Sequence, residues 1–180
     1  MARVPQITGR DDMPDGSKYI ADQVHAVFGG IRGPFSILLH SPELAERLLP
    51  LVPFNREKSV VEGPLRSIGI LAAVREKDSA YVWDAQTRAA RMNGLREDVI
   101  DLLRAKGDPA ALPAEERDIV VYARQITLAG KVDQPVFDAL HHRHGTKWLV
   151  ELTTFMGFYC ALCGVTNAFE VPAPEDGDRF

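Results

Sequence analysis

The Cys-x-x-Cys at Cys160 and Cys163 is the most explicit chemical spacing in the chain. A dithiol does redox work when a helix N-terminus or a nearby cation lowers its thiolate pKa. Here the pair falls late in an apolar run, a setting that raises a thiol pKa, and free cysteine is among the most buried residue types. The first reading is a buried structural pair; hydroperoxide reduction through Cys160 and Cys163 is an alternative. His141, His142 and His144 in HHRHG invite a metal reading. On one helix, however, positions 141 and 142 diverge by about 100°, and only 141 and 144 share a face. With no Cys or acid at ligand spacing, no metal is expected; last-turn imidazoles before Gly145 fit better. Glu151 stands alone among apolar neighbours and requires either a structural cation or a pocket in which it acts as a general acid. Asp84, Gln86, Arg88 and Arg91 share one polar-faced segment. The Gln86 amide can donate and accept hydrogen bonds, and an inward-turned arginine can hold a carboxylate in a bidentate fork. Tyr81, Trp83, Phe155, Phe158 and Tyr159 are either core packing or an aromatic lining.

These residues ride on two helical units. Leu65 to Gly94 reads as two helices across a short polar link. The first is apolar on nearly every side through Ile68, Ile70, Leu71, Ala72, Ala73 and Val74, hence a buried core helix. The second starts near Asp78 or Ser79, either able to cap it, and ends at Gly94 in the C′ place. The other unit follows Gly145, where Trp148 to Leu162 is apolar most of the way round and must be buried between helices or at a subunit interface.

Earlier, Tyr19 to Phe28 has helical spacing and stops at Gly29-Gly30. Gly33-Pro34 turns the chain, and Ser41-Pro42-Glu43 supplies a helix start. His40, beside that start, reads on its own as a packing or backbone-bonded residue. Arg56, Glu57, Lys58 and Glu62 form a mixed charge cluster, read as a solvated connection before the core helix. Further helices run from Arg96 to Lys106, through Ile119 to Thr127, and from Asp133-Gln-Pro135 through Leu140. No segment alternates like a bounded strand, so the fold class is all-α.

RSIGILAAVR followed by AYVWDAQTRAARMNGL resembles the carboxymuconolactone decarboxylase and alkylhydroperoxidase D superfamily. Its pattern is an Arg-Glu core helix, then Tyr-Glu-Trp-x-x-His-x-x-x-Ala-x-x-x-Gly. Tyr81, Trp83, Ala90 and Gly94 keep the spacing, whereas the family's core-helix Glu falls on Ser67, its second Glu on Val82 and its His on Gln86. The Cys-x-x-C of the peroxidase branch falls on Ser79 and Val82. LLHSP before the core and WLVELTTFMGFYCALCGVTNAF near the end extend the likeness over roughly residues 29 to 172. The resemblance implies a helical bundle of the carboxymuconolactone decarboxylase-like type, assembled as a trimer or hexamer, and raises His40 to a pocket residue.

The resulting expectations are specific. The chain divides into an arm (1–16), one domain (17–172) and a disordered or draped tail (173–180). A formal charge of −4 offers no attraction to nucleic acid, no run approaches the roughly 18 uninterrupted apolar residues of a membrane span, and the sparse cysteines suit a reducing, cytoplasmic compartment. The expected activity is a cofactor-independent, lyase-like reaction on a small carboxylate or lactone, through His40, Tyr81 and Glu151 as proton donors and Trp83, Gln86, Arg88 and Tyr159 as the substrate-binding wall. A non-catalytic, oligomeric binding or assembly protein on the same scaffold is the alternative.

Overall fold

The computed structural model describes residues 2–180; residue 1 of the expected arm lies outside them. Nine α-helices follow in order among the described residues: α1 (Lys18–Phe28), α2 (Pro34–Leu38), α3 (Pro42–Leu48), α4 (Leu51–Glu57), α5 (Gly63–Glu76), α6 (Ala80–Met92), α7 (Glu97–Arg104), α8 (Ala114–Ala129) and α9 (Gln134–Ala168). No strand occurs among the described residues.

α5 is the axis of the bundle. Every residue from Arg66 to Val74 is buried, so it has no solvent stripe and must be enclosed on all sides. α6, α7, α8 and α9 do so. Gly69 lets α9 close in: a Cβ there would meet Leu152 Cδ1 at 2.8 Å. α6, by contrast, is two-faced, burying Val82, Trp83, Asp84, Thr87 and Ala90.

α9 breaks once, at Gly145 (φ 81°, ψ 173°), which separates the His141–His144 turn from the apolar arm beyond it. By length and composition α9 is apolar enough to cross a membrane, yet 56% of its most apolar window is buried in the bundle, as befits a core helix. Both chain ends are docked. The arm lays Ile7 and Met13 into the core, with the Ile7 N–H donating to Ser36 O. The tail crosses α6, and its Asp178 and Phe180 reach Trp83.

Candidate functional site

A cavity with two chambers lies between α2, α4, α5, α6 and α9. The smaller, about 90 Å³, is lined by Phe28, Phe35, Val52, Tyr81 and Leu162 together with Arg32 and Arg56. The larger, about 480 Å³, is lined by Asn55, Arg66, Ser67, Arg88 and Asn93. Arg56, Gln86 and Tyr159 line both.

Each wall has a local cause. Tyr81 and Gln86 both reach the cavity from α6, Tyr81 from nearly the opposite side to Trp83 and Gln86 from the flank between them. Tyr81 sits directly against Gly33: a Cβ at Gly33 would fall 2.2 Å from its ring, and Gly33 itself adopts φ 62°, ψ −141°, a conformation side chains rarely permit. Tyr159 comes from the buried face of α9, where its hydroxyl accepts from Asn55 Nδ2 at 3.2 Å. Burial pushes the Tyr159 phenol above its ordinary pKa even though the Asn55 amide and neighbouring cations oppose it. The Tyr81 phenol is likewise raised by burial. Both are therefore protonated at neutral pH.

Positive charge dominates the lining. Arg66 rises from the first turn of α5, 6% exposed, and its Nη1 donates to Val61 O at 2.6 Å. No carboxylate lies within 4.0 Å of it among the described residues. Burial pulls its pKa below the ordinary arginine value, and the charge of Glu151 only partly compensates. Arg32 and Arg56 donate to the carbonyls of Phe28 and Val27, and Arg56 also stands over the Phe28 ring. Arg88 alone has an acid partner, Asp84. Asn55 Oδ1, on a residue 5% exposed, has no hydrogen-bond partner. A buried cation whose one protein acceptor is a backbone carbonyl and a buried amide oxygen with no protein partner line one chamber. That arrangement suits an anionic guest that also carries a hydrogen-bond donor.

Of the residues expected to form the site, Tyr81, Gln86, Arg88 and Tyr159 come together here. Three others do not. His40 is exposed beside a separate hollow next to the arm, where its Nε2–H donates to Pro5 O at 2.8 Å; it ties the arm down. Glu151 accepts at one carboxylate oxygen from Ser59 Oγ and Val60 N, both at 2.9 Å, and so pins the α4–α5 connection to α9. Trp83 is fully buried on the far face of α6, its Nε1–H donating to Asp178 at 3.2 Å. The positions on which the family's polar residues fall are also occupied. Ser67 Oγ donates to Gly63 O and accepts from Asn93, while Ser79 Oγ pairs with Thr166 Oγ1 instead of capping α6.

Arg32, Asn55 and Arg66 are not among the residues that the sequence singles out, and Arg56 reads there only as part of a charged connection. Arg66 alone has a signal in the sequence beyond that, as a charge entering the apolar run of α5.

The thiols stand apart. Cys163 is wholly buried and burial pushes its pKa up to about 12; Cys160, half-buried, is raised for the same reason. His144 stacks on Trp148 with 3.9 Å between ring centroids, and no metal-binding cluster occurs among the described residues. An apolar groove of about 360 Å³ between α8 and α9 carries no formally charged carboxylate or guanidinium.

No family model matches the sequence, and no curated protein matches it. Among solved structures the chain is similar to the crystal structure of an alkylhydroperoxidase AhpD core, an uncharacterized peroxidase-related protein from Ralstonia eutropha JMP134. The two share 16% identity with a TM-score of 0.78, over 97% of this chain and 93% of that one.

Proposed function

On this all-α, alkylhydroperoxidase D-like fold, we propose that the two-chambered cavity binds a small carboxylate or carboxylated lactone and promotes its decarboxylation or a related proton transfer. The observation that carries this is Arg66: a guanidinium buried in the wall of a cavity with a backbone carbonyl as its one protein acceptor. Burying a charge costs several kcal/mol, and an anion completes the pair.

The chemistry follows from what surrounds the anion. When a β,γ-unsaturated or enol-lactone acid loses carbon dioxide, the C–C bonding pair passes into a dienolate. Arg66 lines the larger chamber, where that charge would grow, and a fixed guanidinium there stabilises it without reorganising; Asn55 gives its Nδ2 to Tyr159 and keeps Oδ1 free to accept from a hydroxyl of the guest. Tyr81 or Tyr159, protonated at neutral pH, then donates a proton to carbon, and water reprotonates the phenolate. Gln86 orients the guest by hydrogen bonds.

Binding without chemistry is the second reading, favoured by Gln86, which cannot exchange a proton where the family has its His. Hydroperoxide reduction through Cys160 and Cys163 is opposed by the thiol environment, since a thiol near pKa 12 is only about one part in 100,000 thiolate at pH 7. The experiment is a calorimetric and turnover screen over benzoate, β,γ-unsaturated acids and carboxylated enol lactones. Binding with carbon dioxide release supports the enzyme, and binding alone supports the second reading. No binding by any member at millimolar concentration defeats both. Light scattering tests the trimer or hexamer that we propose with it; a monomer refutes that part.

A further inference from the structure

The last four residues, Gly177–Phe180, occupy a second anion seat, separate from the cavity and on the opposite face of α6. One Asp178 carboxylate oxygen receives Trp83 Nε1–H at 3.2 Å and Arg104 Nη2 at 3.0 Å, and the other receives Arg91 Nη2 at 2.8 Å. Burial would raise this carboxyl, but the donors from Arg91, Trp83 and Arg104 outweigh it and hold it below the ordinary carboxylate value. The Phe180 ring meets Trp83 edge-on at 6.0 Å and lies under the Arg75 guanidinium at 4.1 Å. Gly177 lies so close to Asp84 that a Cβ would meet its Cγ at 2.9 Å. Three elements, α5, α6 and α7, thus read an acid and a ring with one residue between them.

Asp84 links this seat to the cavity. It is 2% exposed, and its two oxygens are divided: Oδ1 accepts the Asp178 backbone N–H at 2.8 Å, and Oδ2 holds Arg88. Arg88 lines the larger chamber. We propose that the tail is a built-in peptide ligand of the seat, and that by fixing Asp84 it sets Arg88 for the anion in the cavity. The second half of this rests on the carboxylate reading above. With the tail gone, Oδ1 loses its donor and water reaches Asp84, so the pair, whose Arg88 end is already 59% exposed, is solvated at its carboxylate end as well and becomes an ordinary surface ion pair of little worth. A guest then meets an Arg88 that must be ordered on binding, which lowers affinity. Asp84 is on this account a positioning residue.

The test compares the full chain with one ending at Asp176. The peptide Glu-Asp-Gly-Asp-Arg-Phe, titrated into the shortened chain, is expected to bind saturably with a shift in tryptophan emission, and at least tenfold more weakly when its second Asp is Asn. Benzoate affinity, by calorimetry, should fall threefold to tenfold in the shortened chain and recover when the peptide is added. In Arg88→Met the full and shortened chains should bind benzoate equally, an outcome that general loosening of the fold would not give. Absence of peptide binding overturns the seat, and unchanged benzoate affinity overturns the coupling. If neither chain binds benzoate, the carboxylate reading has failed for that probe, and the coupling is decided by phenylglyoxal modification of Arg88 followed by peptide mapping. Severalfold faster labelling in the shortened chain upholds it, and equal labelling overturns it.

Discussion

Replacing Arg66 with Met separates a guanidinium kept for a guest from one kept for the fold, because the two roles give opposite signs. The side chain is 6% exposed and makes one hydrogen bond, to Val61 O, with no carboxylate in salt-bridge range among the described residues. Losing a charge-assisted hydrogen bond costs about 1.5–3 kcal/mol. Against that stands relief of a desolvation penalty of several kcal/mol for an unpaired buried ion, and Met refills most of the volume with apolar atoms. The two nearly cancel, so Arg66→Met should change unfolding free energy by no more than about 1–2 kcal/mol, in either direction. At roughly 2–4 °C per kcal/mol for a chain of this size, that is a small movement of Tm. Anion binding should suffer far more. Removing one partner of a buried, hydrogen-bonded charge pair typically costs about 2–5 kcal/mol, which is a loss of roughly 30-fold to several thousandfold in affinity. Denaturant melts and calorimetry with whichever carboxylate binds best measure both sides. A variant that unfolds easily, by more than about 3 kcal/mol, while still binding the anion would refute the reasoning and make Arg66 a structural residue.

Three further outcomes are expected. Asp178 has its pKa lowered in the docked tail, so docking contributes stability that is fully present above the ordinary carboxylate value near 4 and is lost as pH falls through the lowered one. Tryptophan emission should therefore report tail release only in acid, and the step should vanish in Asp178→Asn; release at neutral pH would contradict it. Cys163 should resist iodoacetamide at pH 7.5 in the native chain and react on unfolding, with Cys160 reacting slowly, because burial raises both thiols; rapid native labelling of Cys163 would reopen the redox reading. Gly33→Ala should cost at least about 1–3 kcal/mol from its backbone conformation alone. It should also displace Tyr81, whose ring lies where the new Cβ must go, so that melts and ligand titration both change; an unperturbed variant would mean that this turn relaxes freely.

Helix ends were the most legible feature in the sequence, for a local reason. Gly29, Gly94, Gly130 and Gly145 all take positive φ at the ends or breaks where a glycine was expected to stop a helix. The central place of α5 was legible too, since a helix apolar on every side has nowhere else to go. The site was legible only where it sits on those helices. Tyr81, Gln86, Arg88 and Tyr159 follow from the faces of α6 and α9, whereas Arg56 looked like part of a solvated cluster. That description holds for Arg56 as for Glu57 and Lys58, all three exposed; what it lacks is that Phe28 and Val27 O, from a distant segment, hold Arg56 at the mouth of the cavity. Of the two expectations for the tail, disordered or draped, the structure has the draped one. PAPEDGDRF has the composition of a loose end, and the particular seat was not legible because that of Asp178 is assembled from residues 74 to 95 positions away. His40, Trp83 and Glu151 each tie two segments together; for His40 this is the backbone-bonded reading of the sequence, and Glu151 is structural, with a hydroxyl and a backbone N–H in place of the expected cation.

The residues standing at the polar positions of the family that the sequence resembles bear on the same chemistry as the arginines. Proton relays need neighbouring groups that exchange protons near neutral pH. Here Ser67 and Ser79 are hydrogen-bonded to protein partners, Val82 is core and Gln86 does not titrate, so no relay runs from α5 to α6. What the cavity does hold is fixed positive charge: Arg32, Arg56 and Arg66 have carbonyl acceptors only, and the one acid paired to the fourth arginine, Asp84, is buried behind it. Gln86→His, which puts at this position the His of the family that the sequence resembles, would place an imidazole among those cations, which disfavours its protonated form. The variant should therefore keep a neutral ring at pH 7 and gain little as an acid. An NMR titration of that ring showing an elevated pKa would mean that the arginines do not act on the cavity as a group.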